Sequence, residues 1–121
     1  MTATPPGWPA DVRPPGSPDW ERSAVAWLFD QCPPDHREYD VLRRHPLVLA
    51  RFAAAAVDGA GTAVENGLRT IRSELSGRVP PEAVEAAVAA YERERQRLRN
   101  ARVAVDVVEQ ALRGKRWAPR L

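Results

Sequence analysis

Two long apolar seams lie on either side of a short turn, and they constrain the fold more than any other feature of the sequence. Each seam advances in alternating steps of three and four residues, the spacing of a helix face that packs against another helix. The first seam consists of Leu47, Ala50, Ala54, Val57, Gly61, Val64, Leu68, Ile71 and Leu75. The second consists of Val84, Ala87, Tyr91, Glu94, Leu98, Ala101, Val105, Val108 and Leu112, with Glu94 as its one polar member. The turn, residues 76–81, contains Gly and Pro residues that interrupt a helix.

If the two segments fold back on each other, their seams meet in a single register. Setting Leu75 opposite Val84 also places Leu68 opposite Tyr91, Gly61 opposite Leu98, Ala54 opposite Val105 and Leu47 opposite Leu112. The layer between these pairs sets Ile71 opposite Ala87, Val57 opposite Ala101 and Ala50 opposite Val108. Five of the eight pairs then combine a large side chain with a small one, as close helix packing requires. The seams therefore predict an antiparallel helical hairpin.

The predicted fold class is all-α, with the long hairpin at its centre and two shorter helices packed at its open end. The hairpin helices are expected at about 46–76 and 81–113, the shorter helices at about 18–32 and 35–45, and a basic tail at 114–121. Residues 18–121 form a single helical domain, and residues 1–17 form a Pro-rich N-terminal segment. A chain of 121 residues is long enough for one modest core.

Local signals place the two shorter helices. Ser17 is a candidate cap for the first helix, and Asp35 with Glu38 forms a candidate capping box for the second. Trp20 and Trp27 are seven residues apart on the apolar face of the first helix, so we expect both in the core.

The N-terminal segment contains five of the twelve prolines, which favours an extended backbone. It also contains Trp8, which a solvated linker rarely needs. We expect Trp8 to anchor the segment by packing, and the alternative is a disordered tail.

The third helix has a weak place at Gly59 and Gly61, because each Gly costs about 1 kcal/mol relative to Ala inside a helix. A break near these residues is the alternative to a continuous helix. We predict a continuous helix, because the seam keeps its phase across the glycines. Gly61 would then let the helix that carries Leu98 approach closely.

The hairpin is expected to project as an arm from a four-helix head, reaching roughly 20 Å beyond Gly61. Near the turn, residues 83–91 are rich in Ala and carry one charge, Glu85. Ala83, Val88 and Ala90 lie off the seam and need a partner to be buried. They predict a protein–protein interaction surface, with a homodimer through the arm as its simplest form. The alternative is that Ala is used there only as a good helix former.

The net charge of +2 is unevenly distributed, with +6 from Arg93 onward and −4 before it. The basic half provides an alternative function, association with nucleic acid through phosphate contacts. The candidate residues are Arg95, Arg99, Arg102, Arg113, Lys115 and Arg116. No recognition helix or set of base-stacking aromatic residues accompanies them, so we favour protein interaction.

Cys32 and His36 have the spacing of two metal ligands, but a structural site needs about four. No nucleophile motif, phosphate-binding glycine loop or metalloprotease motif is present. We therefore expect a non-catalytic protein with no cofactor and no metal site. A single Cys suits the reducing cytoplasm, and we expect neither a signal peptide nor a membrane span.

The motifs Pro-Pro-Gly-Trp-Pro, near the start, and Ala-Leu-Arg-Gly-Lys-Arg-Trp, near the end, complete the sequence features. With them the chain resembles small uncharacterised proteins of high-GC actinobacteria. The resemblance implies a bacterial cytoplasmic origin and implies no activity.

Overall fold

The structure is a computed structural model that describes residues 4–118, and within them the chain is built from helices. The elements are α1 (Trp20–Asp30), a 3₁₀ helix (Pro34–Glu38), α2 (Asp40–Arg44), α3 (Pro46–Leu75) and α4 (Pro81–Leu112). The long helices α3 and α4 pack antiparallel as a hairpin, and the shorter helices pack at its open end. The predicted all-α fold class is confirmed, and the bounds of α3 and α4 differ from the predicted ones by one residue at most.

Four ion pairs cross the hairpin and report its register. They join Arg51 to Glu109 (3.1 Å), Asp58 to Arg102 (2.9 Å), Glu65 to Arg95 (3.5 Å) and Arg72 to Glu85. Each pair lies within one or two residues of the register that the apolar seams predict. The four α3 residues are seven apart, so they form one line along a single face of the hairpin. We call this line of pairs the ion-pair ladder.

Helix α3 continues without a break through Gly59 and Gly61. The expected role of Gly61 is wrong, because a Cβ added there would meet nothing within 4 Å. The close approach occurs at Gly67, where an added Cβ would lie 2.4 Å from Cζ of Tyr91. The ring of Tyr91 is large, crosses to α3 and therefore needs a position there that has no side chain. Leu98 is buried without such a close approach to Gly61.

The core lies in the head, where α1 and α2 cover the open end of the hairpin. Its fully buried members are Ala24, Leu28, Leu42, Leu49, Ala50, Ala53, Val105 and Val108. Trp20 and Trp27 pack against this core but remain half-buried, so they line its edge and do not form its centre.

The N-terminal segment packs onto the head, as the anchor prediction for Trp8 requires. The indole Nε1 of Trp8 donates a hydrogen bond to the carbonyl of Val12, at 2.9 Å, and Val12 itself is buried. The rings of Trp8 and Trp20 lie 6.2 Å apart, and Gly7 lies against Val103 of α4. The anchor prediction is confirmed for the described part of the segment.

The predicted helix caps are not formed. Helix α1 begins at Trp20 because Asp19 adopts a left-handed backbone (φ 62°) and the carbonyl of Ser17 instead closes a turn by accepting a hydrogen bond from the Trp20 amide. The second predicted helix is divided at Tyr39 into the 3₁₀ helix and α2. Since that 3₁₀ helix starts directly after Pro33, Asp35 lies inside its first turn and cannot cap it.

By length and composition alone, α3 is also apolar enough to cross a membrane. The sequence predicts no membrane span, because no apolar run approaches the roughly 20 residues that a span requires. In the structure, the first half of α3 contributes Leu49, Ala50 and Ala53 to the core.

Candidate functional site

The arm beyond Gly61 closes its seam only partly. In this part of the hairpin the buried side chains among the described residues are those of Val64, Val84 and Leu98. The other apolar seam residues stay partly exposed: Leu68, Ile71, Leu75, Ala87 and Tyr91. Two helices alone cannot surround a seam, so these side chains retain contact with water that a further helix would remove.

Three alanines that lie off the seam of the tip form a stripe of small side chains. Ala83, Ala86 and Ala90 follow one another at steps of three and four along α4 and are all exposed. We call these three residues the alanine stripe. Residues without long side chains let the backbones of two helices approach closely.

The structure separates Val88 from the alanine stripe. Val88 belongs to a different line of α4, Glu85–Val88–Glu92–Arg95, of which Glu85 and Arg95 are members of the ion-pair ladder. It is half-buried, while Ala83 and Ala90 are exposed. The three residues predicted as one partner surface therefore lie on two faces: Ala83 and Ala90 in the alanine stripe, and Val88 on the face that carries the ladder. Beyond Ala90, the line of the stripe continues to the Glu94–Arg97 ion pair.

Near the tip, the charges of the ladder neutralise each other, because Arg72 pairs with Glu85. The hydrogen bond from Arg72 lowers the pKa of Glu85, and the same bond with the carboxylate charge raises the pKa of Arg72. Both side chains are exposed, so solvent screening keeps the contribution of the pair to stability small. The ladder nevertheless leaves its face polar and already paired.

The basic residues predicted to contact nucleic acid do not form one patch. Three of the six are paired with carboxylates: Arg95 with Glu65, Arg102 with Asp58 and Asp106, and Arg113 with Glu109. Of the other three, Arg99 lies in the middle of α4, whereas Lys115 and Arg116 follow its end. The helix between Arg99 and Leu112 separates them by roughly 20 Å.

Cys32 and His36 lie at the edge of the head core. Burial raises the pKa of the Cys32 thiol, an effect that the charge of Arg37 partly opposes. The ring of His36 packs against Tyr39 and Phe52, with centroids 5.6 and 6.0 Å away. Between residues 4 and 118, no three His, Cys, Asp or Glu side chains are grouped closely enough to hold a metal ion.

No protein-family model matches the chain, and neither does any curated protein or solved structure. Function is therefore inferred from the geometry of the arm and of the head.

Proposed function

We propose that the protein is a non-catalytic helical interaction and assembly module, and that it forms a homodimer through its arm. The observation that carries the proposal is the asymmetry of the arm. One face carries the ion-pair ladder, while the other presents the alanine stripe beside a seam that the hairpin leaves half-exposed.

A second arm packed on the alanine stripe would complete a four-helix bundle. The alanine stripe of each copy would let the helices pack at close to the minimum interaxial distance of about 8 Å. The half-exposed side chains of Leu68, Ile71 and Tyr91 would then lose most of their remaining contact with water. Each Å² of apolar surface removed in this way contributes roughly 25 cal/mol.

The polar face is the less suitable surface for the dimer. A partner there would have to desolvate the Arg72–Glu85 pair and cover charges that already neutralise each other. Ala83 and Ala90 are therefore assigned to the interface, and Val88 is assigned to its outside. This refines the sequence-based surface, which grouped all three.

Sedimentation velocity at tens of micromolar tests the proposal with three matched substitutions to Glu. Ala90→Glu places a charge in the alanine stripe and should convert a dimeric wild type to monomers. Val88→Glu places the same charge on the ladder face, and Ala55→Glu places it on an exposed position of α3 in the head. Both of these controls should remain dimeric, with circular dichroism showing unchanged helix content.

A monomeric wild type at this concentration would contradict the proposal. So would a dimer that survives Ala90→Glu. A dimer that Val88→Glu dissociates and Ala90→Glu leaves intact would assign the interface to the ladder face.

The same experiment tests the alternative function, association with nucleic acid. The ratio of absorbance at 260 and 280 nm in the moving boundary reports bound nucleic acid, which is the outcome that the alternative function predicts.

A further inference from the structure

The N-terminal segment and the residues after α4 line an open groove on the head, far from the arm. The groove has a volume of about 1040 Å³. Its apolar walls come from Pro5 and Pro15 of the N-terminal segment, from Trp20 at the start of α1, and from Val107 and Ala111 of α4. Ligand sites in proteins are typically concave and apolar, with volumes of about 300–1,000 Å³.

Among residues 4–118, the charged groups that line the groove are all cationic. Lys115 and Arg116 contribute to its wall, and none of its described lining residues is Asp or Glu. Neither side chain forms an ion pair or a side-chain hydrogen bond within residues 4–118. The neighbouring Arg113 behaves differently, because its guanidinium pairs with Glu109 at 3.1 Å. Among the described residues, Lys115 and Arg116 thus have no carboxylate partner.

A capping turn at the end of α4 uses two of its last carbonyl groups. The amide of Gly114 donates to the carbonyl of Ala111, and the amide of Lys115 donates to the carbonyl of Gln110, both at 3.0 Å. Gly114 permits this arrangement through its positive φ of 85°.

We propose that this groove binds a small amphiphilic anion, with an apolar body against Trp20, Val107 and Ala111 and an acidic group between Lys115 and Arg116. A purely apolar ligand would pack against the apolar walls but leave Lys115 and Arg116 without an anionic partner. An inorganic anion would pair with the two cations but leave the apolar walls exposed to water. The site is separate from the alanine stripe, so it neither requires nor excludes the dimer.

Two fluorescent probes that differ in one charged group test the assignment on the full chain. 1-Anilinonaphthalene-8-sulfonate carries a sulfonate, and N-phenyl-1-naphthylamine is its uncharged counterpart. The double variant Lys115→Gln/Arg116→Gln should weaken the sulfonate probe by about tenfold or more, since hydrogen bonds to charged groups contribute roughly 1.5–3 kcal/mol. The neutral probe should bind the variant and the wild type equally. The matched control, Arg43→Gln/Arg44→Gln, removes two charges from α2 and should change neither probe.

Indole resonances identify the place of binding. In a ¹H–¹⁵N spectrum, the sulfonate probe should shift the side-chain signals of Trp20 and Trp117, which line the groove, and leave that of Trp27 unchanged. Equal affinity of the sulfonate probe for the double variant and the wild type would overturn the proposal, as would unshifted Trp20 and Trp117 signals. Displacement of the probe by a short single-stranded oligonucleotide but not by laurate would also overturn it, and would assign the groove to nucleic acid.

Discussion

Alanine substitutions at two glycines of α3 measure how closely the hairpin packs. Gly61 and Gly67 are both interior helix positions, so replacing either by Ala should gain about 1 kcal/mol in helix propensity. At Gly61 the new methyl group enters open space, whereas at Gly67 it would lie 2.4 Å from Cζ and 2.5 Å from Oη of Tyr91. Only the second variant must therefore displace a packed ring.

The magnitude follows from the difference between the two sites. Overpacking of this kind costs about 1–3 kcal/mol. Because the propensity gain is common to both variants, Gly61→Ala should stabilise the protein and Gly67→Ala should be less stable than Gly61→Ala by about 1–3 kcal/mol. Urea unfolding followed by circular dichroism, at one protein concentration, measures both free energies of unfolding.

A double-mutant cycle with Tyr91→Leu isolates the contact. When Tyr91→Leu has removed the ring, adding Gly67→Ala should recover most of the gain seen for Gly61→Ala. If Gly67→Ala stabilises the wild type as much as Gly61→Ala does, Tyr91 does not pack on Gly67. The direction assigned to the Tyr91 ring would then be wrong.

Three further predictions concern single side chains. Leu98→Ala should destabilise the protein by about 2–5 kcal/mol in urea titration, because Leu98 is buried in the hairpin, and a neutral result would mean that it is exposed. The thiol of Cys32 should react with a disulfide reagent only slowly until the chain unfolds, since burial raises its pKa and limits access, so rapid labelling of the folded protein would contradict its placement. Arg72 lowers the pKa of Glu85, so their pair should stabilise the fold above the ordinary pKa of a Glu carboxyl and lose this contribution as the pH falls through the lowered value. The stability difference between the wild type and Glu85→Gln should therefore be largest at neutral pH and vanish in acid, and a difference independent of pH would argue against the pair.

The sequence was sufficient to predict the hairpin, because a seam repeated over nine positions on each helix outweighs the local penalty of three glycines. The ion-pair ladder could also have been predicted from the sequence. Applying the seam register to charged residues brings Asp58 beside Arg102 and Glu65 beside Arg95, with opposite signs in both pairs. That comparison would also have placed Val88 on the polar face.

Other features could not be read from periodicity. The start of α1 depends on the left-handed backbone of Asp19, which no residue pattern specified. Whether Gly61 or Gly67 faces a bulky neighbour depends on the direction of the Tyr91 ring, which the register alone does not fix. The groove is formed by the coil segments at the two ends of the described chain, and neither segment has a repeating pattern that would bring them together.

The distance between the tips of two copies tests the proposed dimer most directly. A single nitroxide label at Glu82→Cys, in a Cys32→Ser background, lies at the exposed start of α4. Pulsed electron paramagnetic resonance should then show a dipolar interaction between copies at a distance within roughly 30 Å, as neighbouring helices about 8–10 Å apart require. The interaction should weaken on dilution with unlabelled protein and disappear when Ala90→Glu is added. No dipolar interaction in the labelled protein, or one that Ala90→Glu leaves unchanged, would contradict assembly through the alanine stripe.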